Sequence, residues 1–104
     1  MANQWHIPDW LEAAIRNRDK ACVYCAREFT PTSVSTRSAA SWEHIINDET
    51  IISLENIALC CRGCNASKGQ KKLSEWMKSD YCKTHGITEK TVSQVIKDAL
   101  AKGL

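Results

Sequence analysis

A chain of 104 residues makes one small domain, whose modest core gains from a covalent or metal staple. Hydrophobic residues make up 43% and charged residues 25%, with a net charge of +2, which excludes a disordered or polyelectrolyte chain. The longest apolar run, Ile57-Ala58-Leu59-Cys60-Cys61, is far short of the roughly 20 residues of a membrane span, and the opening MANQWHIPDW lacks the basic and apolar stretches of a secretory signal. The expected compartment is therefore the cytoplasm, with no membrane partner.

In chain order, Pro8-Asp9-Trp10 opens a helix over residues 8–18. Ile7, Trp10, Leu11, Ala14 and Ile15 fall at helical spacing, with Glu12, Arg16 and Arg18 turned outward. Residues 30–41, rich in Ser and Thr, read as a loop with room for a short strand. Residues 42–46 read as a strand, Asn47-Asp48-Glu49 as a turn, and Thr50-Ile51-Ile52 as the start of the return, with a second apolar segment over 55–61. Asn65-Ala66-Ser67-Lys68 opens a helical pattern that Leu73, Trp76, Met77 and Tyr81 continue as far as Gly86. A last helix takes Thr88 as its N-cap, and its stripe of Val92, Val95, Ile96, Ala99 and Leu100 is read as core. Trp5, Trp10, Trp42 and Trp76 are read as core-filling residues, while His6 and His85 carry no assigned chemistry.

Six cysteines stand in the chain: Cys22, Cys25, Cys60, Cys61, Cys64 and Cys82. In a reducing compartment they are not expected to form disulfides. Cys22-Val23-Tyr24-Cys25 and Cys61-Arg62-Gly63-Cys64 are two CxxC pairs with 35 residues between them. Two intervening residues let both thiolates of a pair converge on one ion, and two such turns complete a tetrahedral zinc site. A redox CxxC would need a βαβ setting, which the sequence lacks. Cys60 with Cys64 is a second allowed register, but Cys61 reproduces the tighter spacing. Cys60 and Cys82 are read as small buried apolar residues. Four thiolates leave no open position on the ion, so this zinc (Zn²⁺) is structural and its binding energy becomes folding energy.

Charge is unevenly spread. Residues 43–61 carry Glu43, Asp48, Glu49 and Glu55 and no Lys or Arg, a net −4. Residues 62–78 carry Arg62, Lys68, Lys71, Lys72 and Lys78 against Glu75, a net +4. A basic segment beside an acidic one suits phosphate binding next to a cation site.

Between and just after the two cysteine pairs stand Glu43-His44, Asn56 and Asn65. With CVYC at 22–25, EH at 43–44 and ENIALCCRGCNASKG at 55–69, the chain resembles the HNH family of nucleases over 48 residues, with the terminal helices outside the match. The fold class that the resemblance implies is α+β: a small ββα-metal finger stapled by a four-cysteine zinc site, with flanking N- and C-terminal helices. The whole chain, 1–104, is read as a single domain, with an N-terminal helix in 1–21, the zinc-supported core in 22–69 and C-terminal helices in 70–104.

The resemblance implies a metal-dependent endonuclease that hydrolyses DNA phosphodiesters to 5′-phosphate and 3′-hydroxyl ends. His44 matches the general base, and a histidine with an ordinary pKa of about 6.5 can take a water's proton at neutral pH. Glu43 and Asn65 match the ligands of the catalytic ion, two oxygen donors suited to Mg²⁺ or Mn²⁺. Asn56 matches the asparagine that orients the histidine-bearing loop. Arg62, Lys68, Lys71 and Lys72 are candidate phosphate contacts, Lys68 foremost, one helical turn after Asn65. Neighbouring strand residues point to opposite faces, so Glu43 and His44 cannot project side by side.

Three departures from the family pattern stand out. Glu43 replaces the usual Asp, Asn65 stands where the family name implies His, and the loop after His44 lacks the usual Pro and Gly, leaving Asp48 or Glu49 to approach the ion through water. One site per chain predicts nicking of duplex DNA by a monomer or weak dimer, with little sequence preference because no recognition helix is visible. The alternatives are a non-catalytic zinc-ribbon module that binds nucleic acid, and an accessory protein of phage packaging or defence.

Overall fold

Pro8 holds an extended backbone ahead of α1 (Asp9–Arg18), and its carbonyl accepts the Glu12 N–H. Asp9 and Glu12 fill the first turn and Arg16 and Arg18 the last, matching both ends of the helix dipole. The structure, a computed structural model, describes residues 7–48 and 50–104; Trp5, His6 and Glu49 lie outside the described residues. Helix α1 buries Leu11 and Ile15 and leaves Trp10 68% exposed. Trp10 is thus not the core residue expected, because it stands about 100° round the helix from Leu11. Arg18 is not simply turned outward either. It grips buried Asp19 with two bonds of 2.7 and 2.8 Å and donates to the carbonyls of Leu54 and Ile57. Asp19 in turn accepts the Leu59 N–H at 3.1 Å, so the end of α1 is stitched to the second strand.

The strands β1 (Ala40–His44) and β2 (Ile57–Cys61) pair antiparallel, with Ala40 opposite Cys61, Trp42 opposite Leu59 and His44 opposite Ile57. The first strand therefore begins two residues before Trp42. The return begins at Ile57, not near Thr50: beyond the bond from the Ile45 N–H to the Asn56 carbonyl, the described residues of the segment are held by turns and by the Asn56 side chain. The pleat divides the sheet between two cores. Ile57 and Leu59 join Ile7, Leu11 and Ile15 on one face, with Trp42 and Ala40 packed against them. Ala58 and Cys60 join the cysteine-rich core on the other, with Tyr24, Trp76 and Ile96.

Helix α2 (Arg62–Lys68) follows β2 without a linker, since Cys61 ends the strand and caps the helix with its Sγ. The single helix expected after Cys64 is in fact three short ones: α2, α3 (Leu73–Trp76) and α4 (Asp80–Thr84). Gly69 stops the first at φ 52°, a conformation open to glycine, and the Ser79 side chain caps α4 by accepting the Cys82 N–H. The last helix, α5 (Gln94–Ala101), starts six residues beyond the expected Thr88 cap. Thr88 and Thr91 instead close a turn on themselves, with the Thr88 N–H donating to Thr91 Oγ1 at 2.9 Å. The stripe is core as expected: Val92, Ile96 and Ala99 are buried, and Val95 and Leu100 pack against them. Among the described residues, no helix is long and apolar enough to cross a membrane.

Candidate functional site

The two CxxC turns are built alike. The Cys25 N–H reaches Cys22 Sγ at 3.5 Å, and the Cys64 N–H reaches Cys61 Sγ at 3.5 Å. Each turn thus spends a backbone donor on its first sulfur and leaves both sulfurs pointing the same way. The first is closed by the bond from Ala26 N–H to the Cys22 carbonyl, with Ala26 itself at φ 64°. Together they bring the sulfurs of Cys22, Cys25, Cys61 and Cys64 within 4.8 Å of one another. Zn–S bonds of about 2.3 Å in a tetrahedron place sulfurs about 3.8 Å apart, and Cys25 Sγ stands 3.8 Å from Cys61 Sγ. The donor set and its spacing therefore fit a zinc ion.

The thiol chemistry agrees. Hydrogen bonds from Cys22 and Cys64 hold the Cys61 thiol far below its usual range. Its partnership with Cys61 pushes Cys22 up to about 12, and bonds to Cys22 and Cys61 push Cys64 up as well. Each thiol must lose its proton to bind, and a doubly charged ion is what favours that ionisation. Cys60 stands apart: burial, then the charge of Glu43, pushes its thiol up, and its Sγ meets Ser41 Oγ. The register through Cys61 is the one the fold adopts. Cys60 and Cys82 are both buried, as expected of small apolar residues.

Glu43 and His44 take opposite faces of β1, as the alternation requires. Glu43 faces the cysteine core. Its Oε2 accepts the Tyr24 hydroxyl at 2.6 Å and pairs with Lys68 Nζ at 3.3 Å. Burial raises the Glu43 carboxyl, Lys68 opposes that rise, and burial next to Glu43 holds Tyr24 well above the usual phenol range, so Tyr24 stays a donor. Lys68 is 0% exposed and also donates to the Ile45 carbonyl at 3.2 Å. It is not the phosphate-contacting surface cation expected. Arg62, Lys71 and Lys72, the other expected contacts, are exposed.

Asn65 lies on the same face as Glu43, donating from Nδ2 to Ser41 Oγ at 3.0 Å and to the Trp42 carbonyl at 3.1 Å. Asn56 is buried and holds the segment after His44 at three points. Its Oδ1 accepts the Ile46 N–H at 2.6 Å, and its Nδ2 donates to the carbonyls of Ile46 at 3.3 Å and Ile51 at 3.0 Å. Asp48 spends its carboxylate on Thr50, whose hydroxyl and N–H hold it below the usual carboxylate range; the nearby His44 contributes a smaller lowering.

Sequence reasoning missed the roles of Tyr24 and Lys68. The signal was present for Lys68, since Cys61, Cys64 and Lys68 recur at i, i+3 and i+7, the buried stripe of a helix. Among the described residues, the four cysteines are the group of three or more His, Cys, Asp or Glu side chains gathered closely enough to hold an ion. What fold and site define is a small α+β protein with a four-cysteine centre of zinc-binding geometry. Comparison with protein-family models, curated proteins and solved structures finds no match to this chain.

Proposed function

We propose that this chain is a zinc-stapled, divalent-metal-dependent endonuclease that nicks duplex DNA, with β1, β2 and α2 forming a ββα-metal finger. The observation that carries the reading is the Asn56 clamp: one buried side chain, at the position expected to orient the histidine-bearing loop, binds that loop through three hydrogen bonds. The oxygen donors for a catalytic Mg²⁺ or Mn²⁺ are Glu43 and Asn65. Glu43 is anchored through Oε2, its carboxylate also accepts the His44 backbone N–H, and Asn65 is anchored through Nδ2; Glu43 Oε1 and Asn65 Oδ1 are the proposed ligating atoms. Such an ion, when bound, polarises the scissile phosphate and stabilises the leaving oxygen.

His44, on the following residue, takes the proton of the attacking water on its imidazole; because it faces away from Glu43, the ion and phosphate must lie at the edge of β1, where both side chains reach. Asn56 keeps the backbone after His44 from shifting and so fixes where that proton is received. Arg62, Lys71 and Lys72 bind the DNA backbone, which positions the duplex without reading its sequence.

The Glu43–Lys68 pair favours a second reading, a zinc module that binds nucleic acid without cutting it, because a carboxylate already balanced by an ammonium has no need of an ion. Nicking of supercoiled plasmid by wild type and His44→Ala, with Mg²⁺, Mn²⁺ or EDTA, separates the two. The expected result is ion-dependent open-circle product that the substitution reduces at least a hundredfold. No product from zinc-loaded protein that still retards DNA in EDTA would establish the binding module instead.

A further inference from the structure

Four groups lie in line across the protein interior. Tyr24 sits inside the first CxxC turn, between Val23, whose N–H bonds Leu59, and the zinc-site Cys25. Its hydroxyl meets Glu43 on β1, Glu43 meets Lys68 on α2, and Lys68 meets the carbonyl of Ile45, the residue after His44. Every side chain in this line is buried: Tyr24 0%, Glu43 4% and Lys68 0% exposed. Removing an ammonium from water is costly, and a buried ion pair is seldom kept for stability alone, since apolar residues of the same volume do as well or better. This pair has a placement that apolar residues could not reproduce. It fixes the rotamer of a carboxylate and the position of a carbonyl at once, and Tyr24 carries both constraints to the cysteine centre.

We propose that Tyr24 and Lys68 are positioning residues that make the geometry of Glu43 and of the His44 loop depend on the zinc-bound turn. The proposal rests on the nuclease reading for its use of Glu43 as an ion ligand. The carboxylate presents Oε1 because Oε2 is held from two sides, which is how partners behind a ligand set its orientation and typically change metal affinity by 10- to 100-fold. Lys68 and Asn56 then hold consecutive backbone groups from opposite directions: Lys68 takes the Ile45 carbonyl and Asn56 the Ile46 N–H. The loop after His44 is thus pinned by α2 as well as by its own asparagine.

The test uses zinc-loaded protein: wild type, Tyr24→Phe, Lys68→Arg, Lys68→Met and Glu43→Gln, with Ile96→Val as a control that weakens the same core without removing a group of the line. Mn²⁺ affinity is read from the electron-spin signal of the free ion, and hydrogen exchange is followed at the Ile45 and Ile46 amides. Tyr24→Phe is the gentlest change; it keeps one zinc per chain, binds Mn²⁺ about tenfold more weakly, and speeds exchange at both amides. Lys68→Met does the same more strongly, Lys68→Arg recovers part of the loss, and Ile96→Val leaves both readouts as in wild type.

Wild-type Mn²⁺ affinity and exchange in Tyr24→Phe would overturn the proposal, as would equal effects in Ile96→Val. Faster exchange with unchanged Mn²⁺ affinity would overturn the part that presents Glu43. If Glu43→Gln binds Mn²⁺ as wild type does, the ion-ligand reading of Glu43 fails by itself; the exchange rates alone then decide the coupling, and unchanged rates overturn it.

Discussion

At Asn56 one side chain does the work of a missing stretch of sheet. The ladder ends with His44 opposite Ile57, and beyond it the Asn56 side chain partners the Ile46 N–H and the Ile51 carbonyl and adds a second donor to the Ile46 carbonyl, which also accepts the Asp48 N–H. A carboxamide is the smallest group that offers an acceptor and two donors in one plane, and burial at 2% exposure keeps water from competing. Asn56→Ala strands the Ile46 N–H and the Ile51 carbonyl in a partly dry setting, where an unsatisfied buried polar group costs about 1–3 kcal/mol. The expected loss is about 3 kcal/mol in urea unfolding with an unchanged m-value, together with loss of nicking while zinc stays bound. A loss below about 0.5 kcal/mol, within the range of an ordinary surface substitution, would mean the loop is held by something else.

Among the elements, the break after α2 decides which residues reach the site. Gly69 at φ 52° and ψ −127° turns the chain away, so Lys68 ends the helix pointing into the interior and α3 restarts at Leu73. A Cβ on Gly69 would meet only the Ala66 carbonyl, at 3.9 Å, so Gly69→Ala isolates backbone strain from steric clash. The expected cost is about 1–3 kcal/mol, measured by thermal unfolding, and a neutral result would show that the helix can run on past 69.

This junction also shows how far the sequence could be read. The cysteine spacing and the parity of Glu43 and His44 were legible, because two-residue spacing and strand alternation are local rules that tertiary structure rarely overrides. The continuous helix read from 65 to 86 was not. Its apolar residues do recur at helical spacing, but a glycine that leaves the right-handed region and a serine cap at 79 cut it into turns. The partners of Lys68 escaped for a different reason. A lysine is read as solvated by default, and what buries this one is a carboxylate 25 residues earlier, a pairing no local pattern encodes.

Across the whole molecule, the cysteine centre is where otherwise separate pieces meet. The first turn bonds β2 through the Val23 N–H, takes the start of α5 through the bond from Ser93 N–H to the Val23 carbonyl, and reaches β1 through Tyr24. The second turn is the junction of β2 and α2, and Tyr81 on α4 donates its hydroxyl to Cys64 Sγ at 3.4 Å. A structural zinc contributes about 10–16 kcal/mol of apparent folding energy, as much as the whole stability of a domain this size. Its removal by a strong chelator should therefore abolish the cooperative thermal transition seen by circular dichroism. Each thiol must lose its proton to bind, and Cys22 and Cys64 hold theirs more tightly than usual, so zinc affinity falls as pH falls and the chelator should act fastest under mildly acidic conditions. The cysteines themselves supply the control. Cys61→Ala removes a ligand and the α2 cap together and should leave the chain unfolded, whereas Cys60→Ala, one residue away on the opposite side of the strand, should keep one zinc per chain and lose about 1 kcal/mol. A metal-free chain that still melts cooperatively within a few degrees of the zinc form would show that the two apolar cores hold the fold without the ion.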